Sequence, residues 1–290
     1  MTSEIQDGVR PMPRKSPDPD PSATADADQS PDAAEEREIA RYVDQLFERH
    51  PRIQVVPALI CLNIAITLAF CVFNGGWLFP EGETLIPWGS NYGPLALQGE
   101  WWRLASAIFL HAGLLHLFIN IYTLWSFGGL CERIFGPTLF LVIYLVGGIC
   151  ASGFSLLWNP LVNSVGASGA ICAILGATIA YMLDDRNDVP SSVLTEELKS
   201  LGAFLIYSVI AVVQEAPLDH AAHFGGLVSG FLIGSVMSSI PIERGFVRMV
   251  MVALVVMLAT LGLYAAGRER LKHETRLYPP TTSQTPADKD

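Results

Sequence analysis

Seven apolar runs, most of them long enough to cross a bilayer, constrain this chain more than any other feature. They cover 55–73, a second stretch ending near Cys131, 137–158, 164–183, 201–213, 218–238 and 245–267. A hydrocarbon core is crossed by about 20 apolar residues in helical form. The chain is therefore expected to be an all-α polytopic membrane protein. The fifth run is short and must borrow from 194–200 or tilt little. The second needs the opposite correction, because Trp101 to Leu130 is too long for one crossing. Counting about 20 residues back from Arg133 starts that crossing near Gly113. The preceding GEWWRLASAIFLHAG then belongs to a long first loop, with Trp101, Trp102 and Arg103 expected at the membrane interface.

Composition agrees: 51% of residues are hydrophobic and only 16% charged, with a mean hydropathy of +0.38. Half of the net charge of −10 belongs to one end, since residues 1–52 carry 12 acids and 7 bases. No basic patch suggests nucleic acid, and that class is set aside. The five cysteines (Cys61, Cys71, Cys131, Cys150, Cys172) lie in or beside apolar runs without metal-ligand spacing and read as small hydrophobes.

Residues 1–33, rich in Pro, Asp, Ser and Ala, read as a disordered acidic tail. Ile39, Tyr42, Val43, Leu46 and Phe47 then recur at helical spacing, predicting an amphipathic juxtamembrane helix over 34–52, with Asp32 and Glu35 placed to cap it. No signal peptide is expected, because the first apolar run begins only after residue 52. Arg41, Arg49, Arg52, Arg133, Arg186, Lys199, Arg244 and Arg248 fall in alternate connectors, which places the N-terminus in the cytoplasm. Seven spans put the polar tail 268–290 outside, against its own Arg268, Arg270, Lys272 and Arg276.

Polar residues within spans are costly and point to function. His116 and Asn120 lie early in the second run, Ser168 early in the fourth, and His220 and His223 early in the sixth. All three runs start on the non-cytoplasmic side, so these groups share one depth near one membrane face. His116 and Asn120 are spaced i, i+4 and occupy one helix face, with His111 just above in the loop. Gly226, Gly230 and Gly234 repeat every fourth residue, and Gly166, Gly169, Ala173 and Gly176 punctuate the fourth run. Such stripes let helices approach closely, near enough for the Ser168 hydroxyl to reach the His223 ring.

Taken singly, each residue has a plain structural reading: glycines pack, a membrane serine bonds a carbonyl one turn back, a buried histidine is a satisfied polar group. Their convergence on one level favours nucleophilic catalysis. An imidazole would take the serine proton, and donors would stabilise the oxyanion that follows. His116, Asn120 and the Ser168 backbone N–H are the available donors. Asp219 lies one turn above His223 and is not assigned as its orienting acid. A transporter using membrane histidines as a relay would favour intramembrane carboxylates, whereas Asp and Glu sit at span ends here.

These motifs resemble those of the rhomboid family of intramembrane serine proteases. GASG (166–169) is similar to the family's GxSG motif, HLFIN (116–120) to HxxxN, AHFGG (222–226) to AHxxG, and WWR (101–103) to the tryptophan–arginine motif of its first loop. The resemblance covers roughly 53–240 and implies a core of six transmembrane helices there. A seventh span over 241–267 would make a six-plus-one arrangement. It implies hydrolysis of peptide bonds in or near transmembrane segments of other proteins, within the lipid bilayer and without metal or cofactor. Ser168 would be the nucleophile and His223 the base. His116, Asn120 and the Ser168 N–H would be the oxyanion donors, and Gly166, Gly169, Gly226 and Gly230 the helix-packing positions near the site. The active site would open to the non-cytoplasmic face. Cys172 departs from the pattern, standing where many members carry an aromatic. A catalytically silent relative that binds membrane proteins is the alternative within the family. Such relatives usually lack the serine or the histidine, and both are present.

Overall fold

The computed structural model describes residues 31–74, 82–213, 219–239 and 245–277. Through them run helices α1 (Pro31–Arg49), α2 (Val55–Asn74), α3 (Leu114–Trp158), α4 (Ser168–Met182), α5 (Ser191–Val213), α6 (His220–Ser239) and α7 (Gly245–Leu277). Between α2 and α3 lie one-turn helices and the strand β1 (Asn91–Tyr92), which pairs antiparallel with β2 (Asn163–Ser164). Most of the acidic tail expected over 1–33, and the polar tail beyond 277, lie outside the described residues.

Among the described residues, α2, α3 and α6 are long and apolar enough to cross a membrane, and α4 is apolar but shorter. At 45 residues, α3 would be about 67 Å long if straight, twice a hydrocarbon core. It is instead two helices joined at a break. Gly136 (φ 77°, ψ 165°) leaves helical geometry there, and Pro137, whose ring is preset for a first helical turn, starts the second limb. The first limb begins at Leu114, where the residue count had placed it.

Several boundaries differ from expectation for local reasons. The fourth run was expected to be helical from 164, yet α4 starts only at Ser168, because Asn163 and Ser164 are engaged in β2 and Gly166 (φ 124°) interrupts. Helix α5 begins at Ser191 and so borrows more polar chain than the short apolar run required, while α7 continues to Leu277. In α1, Asp32 falls inside the first turn, not ahead of it as a cap, because the helix starts at Pro31. There it serves as an acid at the positive end of the helix dipole. The apolar stripe of α1 is also divided. Tyr42 and Leu46 are buried with Ile134, Tyr181 and Met182, whereas Phe47 is half-exposed and carries the Arg133 guanidinium 3.7 Å from its ring centroid.

Entry into α2 depends on one buried acid that sequence reading passed over. Helix α1 stops at Arg49, ahead of Pro51, which disfavours helical geometry in the residue before it. The Glu132 carboxylate, fully buried, then accepts from the backbone N–H of Gln54 (2.7 Å), Val55 (2.9 Å) and Val56 (2.9 Å). These are donors that the first turn of a helix leaves without partners, and Pro57 removes the next one because it has no N–H. The same junction is tied again at the α3 break. Arg133 Nη1 donates to the His50 carbonyl (2.7 Å), and a Cβ on Gly136 would stand 2.7 Å from His50 Nε2.

Arg103 corrects the interfacial expectation. Trp101 and Trp102 are exposed, but Arg103 is buried. Its Nη1 donates to the carbonyls of Ile86 (2.7 Å) and Ser90 (3.2 Å), and its Nε donates to the Glu100 carboxylate (2.7 Å). It is the centre of the folded first loop. That loop is in turn fastened to the segment ahead of α4. Gly93 N–H donates to the Pro160 carbonyl (2.9 Å), and Gly166 N–H donates to the Ala107 carbonyl (3.0 Å).

Helix α4 sits at the centre, apolar on every side and buried along nearly its whole length, as expected of a helix with neighbours all round. The second limb of α3 packs on one flank, where Gly147 faces Ala173 and Gly148 faces Ala170.

Replacing Glu132 with Ala should strand the buried N–H of Val56 and deprive the part-buried N–H groups of Gln54 and Val55 of their acceptor, lowering stability by about 2 kcal/mol. Gln, which keeps one acceptor oxygen, should give a smaller loss. Thermal unfolding in detergent measures both, and equal melting of Glu132→Ala and wild type would contradict the cap.

Candidate active site

Ser168 occupies the first turn of α4, where helix geometry leaves the N–H groups of residues 168–170 without intrahelical acceptors, the first bond being Ile171 N–H to the Ala167 carbonyl (2.9 Å). Gly166, two residues ahead, has a φ of 124° that only glycine adopts readily, and this turns the chain into the helix. It was expected to be a helix-packing position. It lies in the loop instead, facing the His116 ring, and a Cβ there would stand 2.8 Å from His116 Nε2 and 3.8 Å from Ser168 Oγ. His116 and Ser168 therefore flank one glycine.

Across from Ser168 stands His223, in the first turn of α6 and buried. Its Nε2 lies 2.8 Å from Ser168 Oγ, a good hydrogen-bond length for this pair. Asp219 caps this helix. Its Oδ1 accepts from the Ala222 N–H (3.0 Å), its carbonyl from the His223 N–H (3.1 Å). This is N-cap geometry. His220 is exposed at the rim, its ring centroid 6.4 Å from that of His223 and perpendicular to it.

Backbone contact between α4 and α6 fixes the spacing of the pair. A Cβ on Gly226 would fall 2.1 Å from the Gly169 carbonyl oxygen, and one on Gly230 would fall 1.9 Å from that of Ala173. Gly234 meets Ala177 in the same way at 2.6 Å, and Gly176 meets the Leu227 carbonyl at 2.2 Å. On α4, Gly169 also faces Ala151 of α3, whose Cβ would be 2.7 Å away. Cys172, one turn beyond Ser168, is buried and lies against Gly226.

The first limb of α3 completes the group. His116 Nδ1 accepts from the Ala112 N–H (3.3 Å), so in a neutral ring the proton is on Nε2, the nitrogen facing Gly166. Asn120 is buried one turn on, and its amide donates to the His116 carbonyl (2.9 Å). Four sequence-selected residues, Ser168, His223, His116 and Gly166, thus meet at one point. Asn120 touches the group through His116. Sequence reading did not single out Thr67 or the buried state of His111, which are joined at 3.2 Å behind His116. A threonine in an apolar helix carries little signal by itself.

The fold and site define a helical integral membrane protein with a serine and a histidine hydrogen-bonded at the ends of two packed helices. The family model for the Rhomboid domain matches residues 98–240. Rhomboid protease AarA of Providencia stuartii is 30% identical over 239 residues, covering 74% of this chain and 83% of that protein. Putative rhomboid protease YdcA of Bacillus subtilis is 33% identical over 165 residues, covering 54% of this chain and 80% of that protein. Rhomboid protease GluP of Bacillus subtilis is 33% identical over 205 residues, 69% of this chain, but the chain spans only 38% of GluP's length. The chain belongs to the rhomboid family.

The glycine contacts give a graded prediction. Gly230→Ala drives a Cβ into a backbone carbonyl and should cost about 3 kcal/mol or more. Gly148→Ala meets side-chain atoms at 3.0 Å or beyond and should cost about 1 kcal/mol. Thermal melts of the two variants that coincide would refute the close approach of α4 and α6.

Proposed function

We propose that the protein is an intramembrane serine endopeptidase that hydrolyses peptide bonds in or near transmembrane segments of other membrane proteins. The observation that carries this reading is the 2.8 Å contact between Ser168 Oγ and His223 Nε2. The protease names of its relatives support it.

In this reading His223 carries its ring proton on Nδ1 and accepts the Ser168 proton on Nε2 as Oγ attacks the scissile carbonyl carbon. The carbonyl oxygen becomes an oxyanion facing the Ser168 N–H, the Nε2–H of His116 and the amide of Asn120. Collapse of the tetrahedral intermediate breaks the C–N bond, and His223 returns its proton to the departing amine. Water then attacks the acyl-enzyme ester, giving up a proton to His223, and His223 returns that proton to Ser168 Oγ as the ester C–O bond breaks and the acid leaves. The chemistry needs no metal or cofactor.

The same reading assigns a six-helix catalytic core to 53–240 and a seventh span to 241–267, with the tails 1–33 and 268–290 and the juxtamembrane helix 34–52 outside the bilayer. The starts of α3, α4 and α6 meet at the site, whereas Arg133 and Arg186 lie at the far ends of the first limb of α3 and of α4, which supports a cytoplasmic N-terminus and a site opening to the opposite face. Helix α7 supports a seventh crossing. Its Tyr264 donates to the Leu97 carbonyl (3.3 Å) and its Arg270 to the Leu157 carbonyl (3.0 Å), at the same end as the site.

Cleavage of a transmembrane model substrate by purified protein in detergent tests the reading. Ser168→Ala and His223→Ala should abolish turnover, while Asn120→Ala should retain about one part in 10² to 10³. Undiminished cleavage by Ser168→Ala would sink the proposal. Total loss in Asn120→Ala together with a lowered melting temperature would make Asn120 a structural residue.

A further inference from the structure

We infer that Thr67 and His111 are positioning residues that hold His116 in the tautomer and orientation needed of an oxyanion donor. The inference rests on the protease reading and adds two residues to its machinery. His111 is 1% exposed and Thr67 fully buried, on α2. Thr67 Oγ1 and His111 Nδ1 are hydrogen-bonded at 3.2 Å. The His111 ring stands edge-on to that of His116, at 69° with centroids 5.3 Å apart.

The chain geometry explains why this matters. The hydrogen bond that sets the His116 tautomer comes from Ala112, the residue next to His111. The Ala112 methyl packs against the cluster of Phe70, Cys71 and Leu85, but a methyl does not orient the peptide N–H. The direction of that N–H is governed by His111 before it and by the turn at Gly113 (φ 91°) after it. At 3.3 Å the Ala112–His116 bond is already long, so a small drift would lose it. An imidazole freed from that donor can rotate or move its proton to Nδ1, turning Nε2 from a donor into an acceptor. A leucine would fill the same buried space as His111, but it could not be held in one orientation by Thr67. The histidine is explained by its hydrogen bond, not by its volume.

The test joins kinetics to spectroscopy. Thr67→Val, nearly isosteric, should lower kcat about tenfold with KM unchanged, a part of what an oxyanion donor contributes, and Thr67→Ser should restore wild-type turnover. In a His116→Ala background, Thr67→Val should change the residual rate less than about twofold, because the group it acts through is gone. Equal losses in both backgrounds, or a full rate in Thr67→Val, overturn the inference. Independently of turnover, ¹⁵N–¹H correlation spectra of histidine-labelled protein in detergent report the His116 tautomer. It should be Nε2–H in wild type and Thr67→Ser, and mixed in Thr67→Val. An unchanged tautomer in Thr67→Val also overturns the inference. If wild type does not cleave, the protease reading fails by that result alone, and the tautomer measurement still decides whether Thr67 and His111 set His116.

Discussion

The separation of α4 and α6 is the constraint on which the site depends. Two helices with ordinary side chains between them pack about 8–10 Å apart, at a distance set by side chains that can adjust. Here Gly226, Gly230 and Gly234 of α6 leave a stripe without side chains, and the carbonyls of Gly169, Ala173 and Ala177 occupy that space. The approach is set by backbone, which does not adjust as a side chain does. Ser168 and His223, each in the first turn of its helix, are therefore held at 2.8 Å by contacts that run down the helices away from them. Gly147 and Gly148 of α3 press on the other flank of α4, so the helix that carries Ser168 is clasped on two sides.

Two buried charged side chains organise what surrounds this pair: Glu132 is satisfied by backbone, and Arg103 by backbone together with the Glu100 carboxylate. Glu132 gathers the first N–H groups of α2, and α2 carries Thr67, which stands behind His111 and His116. Arg103 gathers the carbonyls of the first loop, and that loop holds Gly166 through Ala107. A charge away from water is tolerable only when its hydrogen-bonding capacity is filled. In each case the filling is done by a chain segment that needs those bonds itself, which is how a single side chain comes to fix a loop or a helix start.

The helices were largely legible in the sequence because lipid demands long apolar runs, and the division of α3 was legible from Arg133 and from Gly136–Pro137. The meeting of Ser168, His223 and His116 was also legible, since span direction and run order alone put them at one depth. What could not be read was local geometry imposed from far along the chain. Gly166 looked like one more small residue of a helical stripe, but its φ is set by a bond to Ala107. Arg103 looked interfacial beside two tryptophans, since nothing in its neighbourhood reveals that Ile86 and Ser90 turn their carbonyls towards it. Glu132 looked like an ordinary connector charge at a span end, and its three N–H partners lie far back in the chain. Periodicity sees one element at a time, and these groups act between elements.

The central claim is that packing of α4 on α6 turns Ser168 into a nucleophile. It is tested most directly by mapping, with peptide mass spectrometry, where a fluorophosphonate attaches to the folded protein in detergent. The account predicts a single phosphonylated residue, Ser168, with labelling lost in folded His223→Ala. Modification at another serine, or undiminished labelling of Ser168 without the histidine, would contradict it.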